Sequence, residues 1–238
     1  TDLPDSISPP AKSADIQIPL ICGTTVVDHL IGFSQAIEVE NNRFDFSAFI
    51  DQLKRQGVLS KSNRSKNWYV QESCTDELYV DAMKKYMTIN TPRFQGLCSP
   101  AGNQAVLRDV TIENMSADAN ISVASLDPAA TVGSAKRLIL FYATNALNSN
   151  QKFADSSMVQ LKETGDNPTL VKCGRFKVTL DNPNAADFNI YPLEMNGARR
   201  KALTPAAAAD GKLVLAIDTA ELPDGPALFF EIAVGRFE

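Results

Sequence analysis

From Ala105 onward the sequence is a succession of short strand-like runs, each closed by a turn, with no helical periodicity between them. Residues 175–180 alternate most clearly. Phe176, Val178 and Leu180 fall on one side of an extended chain, and Lys177 and Thr179 on the other, the period of two that a half-buried strand imposes. Arg137–Ala143 (RLILFYA) is nearly continuous apolar sequence, which predicts a strand covered on both faces. Further runs are expected at 106–113, 121–126, 158–162, 169–172, 188–195, 213–217 and 228–234, with a hairpin signal at Asn196-Gly197. The alanine run 206–209 before Asp210-Gly211 reads as a loop. Roughly eight or nine strands at about 10–20-residue spacing predict an antiparallel β-sandwich.

The first part of the chain is different. Residues 16–22 (IQIPLIC) suit an edge strand and 36–40 alternate as a strand would. One helix is clear, over 46–56. Phe46, Phe49, Ile50 and Leu53 make a single apolar stripe, Asp45 suits the N-cap and Gly57 the stop. Residues 78–80 and Tyr86–Asn90 predict two strands around a turn at 82–85, and 97–103 (LCSPAGN) reads as a turn-rich boundary. The expected organisation is therefore mainly β. A smaller mixed α/β, loop-rich segment with one helix occupies 1–97, and a β-sandwich occupies 98–238.

Charge and apolar patterning limit the partners. The net charge is −5 and no basic patch is visible, so nucleic acid is not expected. The densest basic run, Arg199-Arg200-Lys201, suits a solvated strand edge. No apolar run approaches the ~18 residues of a membrane helix. Cys22, Cys74, Cys98 and Cys173 are widely spaced without a CxxC pair, so isolated, partly buried thiols are expected in place of a zinc site, although four cysteines also allow three full pairings. The first residue is Thr1, not Met, which suggests a trimmed chain or a processed fragment.

No residue set demands catalysis or a cofactor. His29 is the single histidine and lies in no nucleophile-elbow pattern. Residues 181–187 (DNPNAAD) carry Ala186 where a calcium loop needs glycine, and read as an Asx-rich turn. Glu72, Asp76, Glu77 and Asp81 could pair as glycosidase carboxylates, but as readily form a solvated acidic surface. Trp68-Tyr69 has two readings. It is an aromatic platform for a sugar, with Tyr142 as a further candidate, or a buried plug.

Glu77-Leu78-Tyr79-Val80-Asp81, followed by Tyr86-Met87-Thr88-Ile89-Asn90-Thr91-Pro92-Arg93-Phe94-Gln95-Gly96, is similar to a junction in bacterial multidomain glycoside hydrolases. There a stretch of this type leads from a catalytic TIM barrel into a C-terminal β-sandwich. Tyr79 and Val80 stand near the place of that family's usual Trp-Asp. The resemblance continues through residues 124–127, 137–140, 143–148, 193–199, 217–219 and 228–231, and so covers 77 to the C-terminus. It implies a carbohydrate-active enzyme. A barrel takes about 250 residues and eight helices, whereas one helix is clear here, so no catalytic residue carries over. The chain is expected to be a non-catalytic accessory β-sandwich region. Its partner would be a catalytic barrel domain or chain, with oligosaccharide or polysaccharide nearby. The alternative is a stand-alone carbohydrate-binding module using Trp68, Tyr69 or Tyr142.

Overall fold

The structure, a computed structural model, describes residues 46–235 except 68, 157 and 206. The strands expected at 16–22 and 36–40, the Asp45 cap, Cys22, His29 and Trp68 lie outside the described residues. The chain divides into two compact units, Thr1–Asn90 and Thr91–Glu238.

In the first unit helix α1 (Phe46–Arg55) buries Phe46, Ile50 and Leu53, three of the four residues of the predicted stripe, while Phe49 is only partly buried. They pack with Leu59, flanked by Phe49 and Cys74. The helix stops where expected. Gly57 takes φ +73, the left-handed conformation that glycine adopts without a Cβ penalty. Val58 N donates to Leu53 O (3.0 Å) and Gly57 N to Lys54 O (3.3 Å), satisfying carbonyls the helix leaves open. An antiparallel meander follows: β1 (Val70–Glu72), β2 (Leu78–Asp81) and β3 (Tyr86–Asn90). The turn between β2 and β3 needs a positive φ at Lys85 (+53) and is pinned by Asp81 Oδ1, which accepts from Lys84 N (3.1 Å).

The second unit is mainly β, as the strand spacing predicts, and its antiparallel sheets pack as a sandwich. The strands, in chain order, are β4 (Phe94–Ser99), β5 (Asn103–Val106), β6 (Val110–Asn114), β7 (Ala119–Ser125), β8 (Arg137–Ala143), β9 (Ala146–Ser149), β10 (Lys152–Phe153), β11 (Leu161–Glu163), β12 (Asp166–Val171), β13 (Arg175–Asp181), β14 (Phe188–Pro192), β15 (Ala207–Ala209), β16 (Lys212–Asp218) and β17 (Phe229–Val234). Within this unit one sheet has the order β4-β7-β8-β17-β14 and the other β15-β16-β13-β6-β5. Two small ribbons, β9 with β12 and β10 with β11, stand between β8 and β13 in sequence.

Alternation decides which side chains enter the core. Phe176, Val178 and Leu180 of β13 are fully buried, as are Leu138, Leu140 and Tyr142 of β8 and Phe230 and Ile232 of β17. Full burial of one such apolar side chain stabilises the fold by about 1.5–3 kcal/mol. The two sheets meet through aromatic rings. Tyr142 stacks on Phe176 with centroids 4.5 Å apart, and Phe176 meets Phe230 edge-on at 6.0 Å.

Several local expectations change. The run 106–113 is not one strand. It breaks at 107–109 into the hairpin of β5 and β6, closed by Leu107 N donating to Val110 O (2.8 Å). Residues 97–99 continue β4 where a turn is expected. Residues 207–209 of the alanine run form a strand in place of a loop. Their hairpin with β16 turns on Asp210 and Gly211, both at positive φ (52 and 73), so turn chemistry overrides alanine's weak strand preference. The signal at Asn196-Gly197 does mark a tight turn, with Gly197 at φ +86 and Glu194 N donating to Ala198 O (2.8 Å). The Asx reading of 181–187 also corresponds to the structure. Asn182 Oδ1 accepts from Asn184 N (2.9 Å), and Asn182 Nδ2 donates to Val132 O and Ala135 O.

Candidate binding face

The outer face of the first sheet is assembled by register. Tyr191 of β14 stands opposite Glu231 of β17, which stands opposite Ile139 of β8. Ile139 is opposite Ala124 of β7, and Ala124 opposite Phe94 of β4. The next row runs Phe229, Phe141, Ser122, Gly96. These residues alternate with the buried core positions and so point away from the core. Tyr191, Ile139, Phe94, Phe229 and Phe141 are half-buried. Phe141 and Phe229 meet edge-on at 5.6 Å and 88°, an arrangement aromatic quadrupoles favour. The strand expected to be covered on both faces is thus closed on the core side and half-open on the other.

A charged cluster interrupts this apolar face. Glu231 is 4% exposed. Its Oε1 accepts from Arg137 Nε (2.6 Å) and Arg199 Nη2 (2.9 Å), and its Oε2 from Arg199 Nε (2.7 Å). Arg199 reaches Glu231 from the segment after β14, and its guanidinium lies 4.7 Å from the Tyr191 ring centroid. The Arg199 hydrogen bonds hold the Glu231 carboxyl below the usual carboxylate range. Burial opposes them and Arg137 adds to them. The same pair pushes the Arg199 guanidinium up. Arg199 and Arg200 are therefore not a solvated basic edge, since Arg200 in turn holds Glu194 through Nε (2.8 Å) and Nη2 (3.0 Å). Arg137, Tyr191, Arg199 and Glu231 carry no local sequence signal. They are distant in the chain and meet only through strand register.

The residues singled out in sequence are scattered. Tyr142 is fully buried and stacked in the core, so its ring offers no face to a sugar. The reason is parity, since it shares the inward side of β8 with Leu138 and Leu140. Tyr69, in the other unit, is 51% exposed, on a turn held by Asn67 Oδ1, which accepts from Tyr69 N (2.9 Å) and Val70 N (3.0 Å). Trp68 lies outside the described residues.

The four acidic candidates of the first unit do not form a solvated surface throughout. Glu72 and Asp81 are 3% and 5% exposed. Glu72 accepts from Arg64 N (2.5 Å) and Nε (2.7 Å), and the Arg64 guanidinium lies 3.9 Å from the Tyr79 centroid. Tyr86 meets Tyr79 edge-on at 6.2 Å, and burial pushes its phenol up. Asp76 accepts from Ser60 Oγ (2.8 Å) and Asn63 Nδ2 (3.1 Å). The carboxylates of Glu72, Asp76 and Asp81 thus anchor a turn or a neighbouring segment. Among the described residues no group of three or more His, Cys, Asp or Glu is placed to hold a metal ion.

The second unit is defined as an antiparallel β-sandwich whose first sheet carries an aromatic outer face with a buried glutamate held between two arginines. No protein-family model, curated protein or solved structure matches the chain.

Proposed function

We propose that this chain is a non-catalytic accessory β-sandwich region of a carbohydrate-active enzyme, a glycoside hydrolase, and that the outer face of its first sheet seats against a catalytic barrel. The observation that carries this reading is the row Tyr191–Glu231–Ile139–Ala124–Phe94 with Phe229 and Phe141 beside it. An antiparallel sheet that faces water alternates apolar with polar. This one presents aromatic and aliphatic side chains on its second face too, which suits a covering partner. Glu231 and its two arginines tie together β8, β17 and the segment after β14 on that face. The junction-like stretch at residues 86–96 supports the glycoside-hydrolase context.

The test is the gene around the Thr1 codon together with an activity assay. A reading frame that encodes a (β/α)8 barrel and runs into this segment supports the proposal. Hydrolysis of aryl-glycosides by this chain alone at enzyme-like rates, abolished by one Asp or Glu substitution, refutes it.

The exposure of Tyr69 favours a second reading, a carbohydrate-binding module with its platform on the first unit. Affinity electrophoresis against soluble β-glucan, xylan and mannan separates the two. Retardation lost in Tyr69→Ala supports the module, and unretarded migration in all three gels excludes it for these glycans.

A further inference from the structure

In the second sheet β15 covers only part of the outer edge of β16, over Lys212–Val214. Thr219 N donates to Gly174 O (3.0 Å), on the β13 side of β16. Backbone groups alternate along a strand, so Ile217 and Leu215 also face β13, while Val214, Ala216 and Asp218 face the other way. Val214 meets Ala207 of β15. Continuing that register would place Pro205 opposite Ala216, and proline has no N–H to give. The chain leaves the edge there, with Leu203 N donating to Ile190 O (2.8 Å) in the other sheet. Ala216 N–H, Ala216 C=O and Asp218 N–H therefore meet no strand among the described residues. The Asp218 carbonyl is taken by Glu221 N (3.2 Å).

This open edge lines a pocket of about 340 Å³ together with Leu203, Thr204, Glu221, Leu222 and Pro223. The volume is at the lower end of ligand pockets, about 300–1,000 Å³. Its charged lining residues, Asp218 and Glu221, are both acidic. Backbone donors and an acceptor in strand register, apolar walls and two carboxylates together match an extended peptide, with each group supplying one element of recognition.

We propose that the β16 edge at Ala216–Asp218 binds a short extended peptide segment by strand addition, in line with β15. The segment exchanges two backbone hydrogen bonds with Ala216, places an apolar side chain between Leu203 and Leu222, and sets a lysine or arginine against Asp218 and Glu221. The proposal is independent of the carbohydrate reading, which uses the other sheet.

The experiment titrates the ¹⁵N-labelled chain with three synthetic capped pentapeptides: Ala-Ala-Lys-Val-Ala, whose last alanine pairs with Ala216 and whose lysine falls opposite Asp218 on the same face, Ala-Ala-Glu-Val-Ala, and the lysine peptide N-methylated at its last alanine. The expected result is saturable amide shifts at Ala216 and Asp218 with the lysine peptide. Binding should be at least about tenfold weaker with the other two, which is about 1.4 kcal/mol. Ala216→Pro removes an N–H that no ladder uses and should weaken the lysine peptide by a similar factor. Glu221→Lys should reverse the preference to the glutamate peptide. If Ala216→Pro fails to fold, the N-methylated peptide carries the same test on the native chain. Equal shifts with all three peptides, or none, overturn the proposal. So do concentration-dependent shifts at these amides without peptide, which would make the occupant a second copy of this chain.

Discussion

The phenol oxygen of Tyr142 is buried without a hydrogen-bond partner and lies where a side chain on Gly174 would have to go. The two residues sit on different sheets, Tyr142 in β8 and Gly174 immediately before β13. The glycine leaves the space that the ring fills as it stacks on Phe176. Burial pushes the phenol up, with smaller contributions from Cys173 and Asp218, so it stays neutral at ordinary pH.

This pair predicts a coupling. Tyr142→Phe removes an unsatisfied polar atom and should leave stability unchanged or raise it by about 1 kcal/mol. Gly174→Ala should destabilise by about 1–3 kcal/mol through overpacking, and by clearly less in the Tyr142→Phe background. Urea denaturation of the four proteins of the cycle measures this. Additive effects would mean that the oxygen and the missing Cβ do not share one space.

Glu231 predicts a pH dependence. Its folded pKa lies below its unfolded value, chiefly through Arg199. Its stabilising contribution is therefore present above the unfolded carboxylate range, about 4.3, and is lost as pH falls through the lower folded value. Glu231→Gln should cost about 1–3 kcal/mol at pH 7, since it leaves the partly buried Arg199 guanidinium, and the more exposed Arg137, short of a carboxylate. The difference from wild type should shrink steadily below about pH 4. A difference constant from pH 7 to pH 3 would contradict this assignment.

Asn182 predicts a requirement for the amide itself. It is fully buried, donates to Val132 O and Ala135 O, and accepts from Asn184 N. Asn182→Ala should cost about 2–3 kcal/mol, because buried carbonyls lose their donor. Asn182→Asp keeps the acceptor but not the donor and should also destabilise at pH 7. Thermal unfolding of the two variants checks both.

The first unit predicts a local effect. Ile50 is 2% exposed in a cluster of four buried apolar residues. Ile50→Ala should destabilise that unit by about 2–5 kcal/mol. Hydrogen exchange should accelerate over residues 46–59 and remain unchanged in β13 and β16. Equal acceleration in those strands would mean that the two units unfold together.

The sequence by itself determined the elements whose pattern is local. The stripe of Phe46, Ile50 and Leu53, the alternation of Phe176, Val178 and Leu180, and the turn at Asn196-Gly197 all read correctly, because period and turn chemistry are properties of neighbouring residues. The break at 107–109 and the strand at Ala207–Ala209 were not legible, because each depends on a partner strand. The candidate face was hidden for a stronger reason. Tyr142 looks in sequence like any aromatic near a surface, and one step of strand parity sends it into the core. Arg137, Tyr191, Arg199 and Glu231 come from separate segments up to 94 positions apart, and only the order of β14, β17 and β8 brings their charges together. The open edge at Ala216 has the same origin. No residue there announces it, and it exists because Leu203 bonds to the opposite sheet and leaves Ala216 and Asp218 without a strand partner on the β15 side among the described residues.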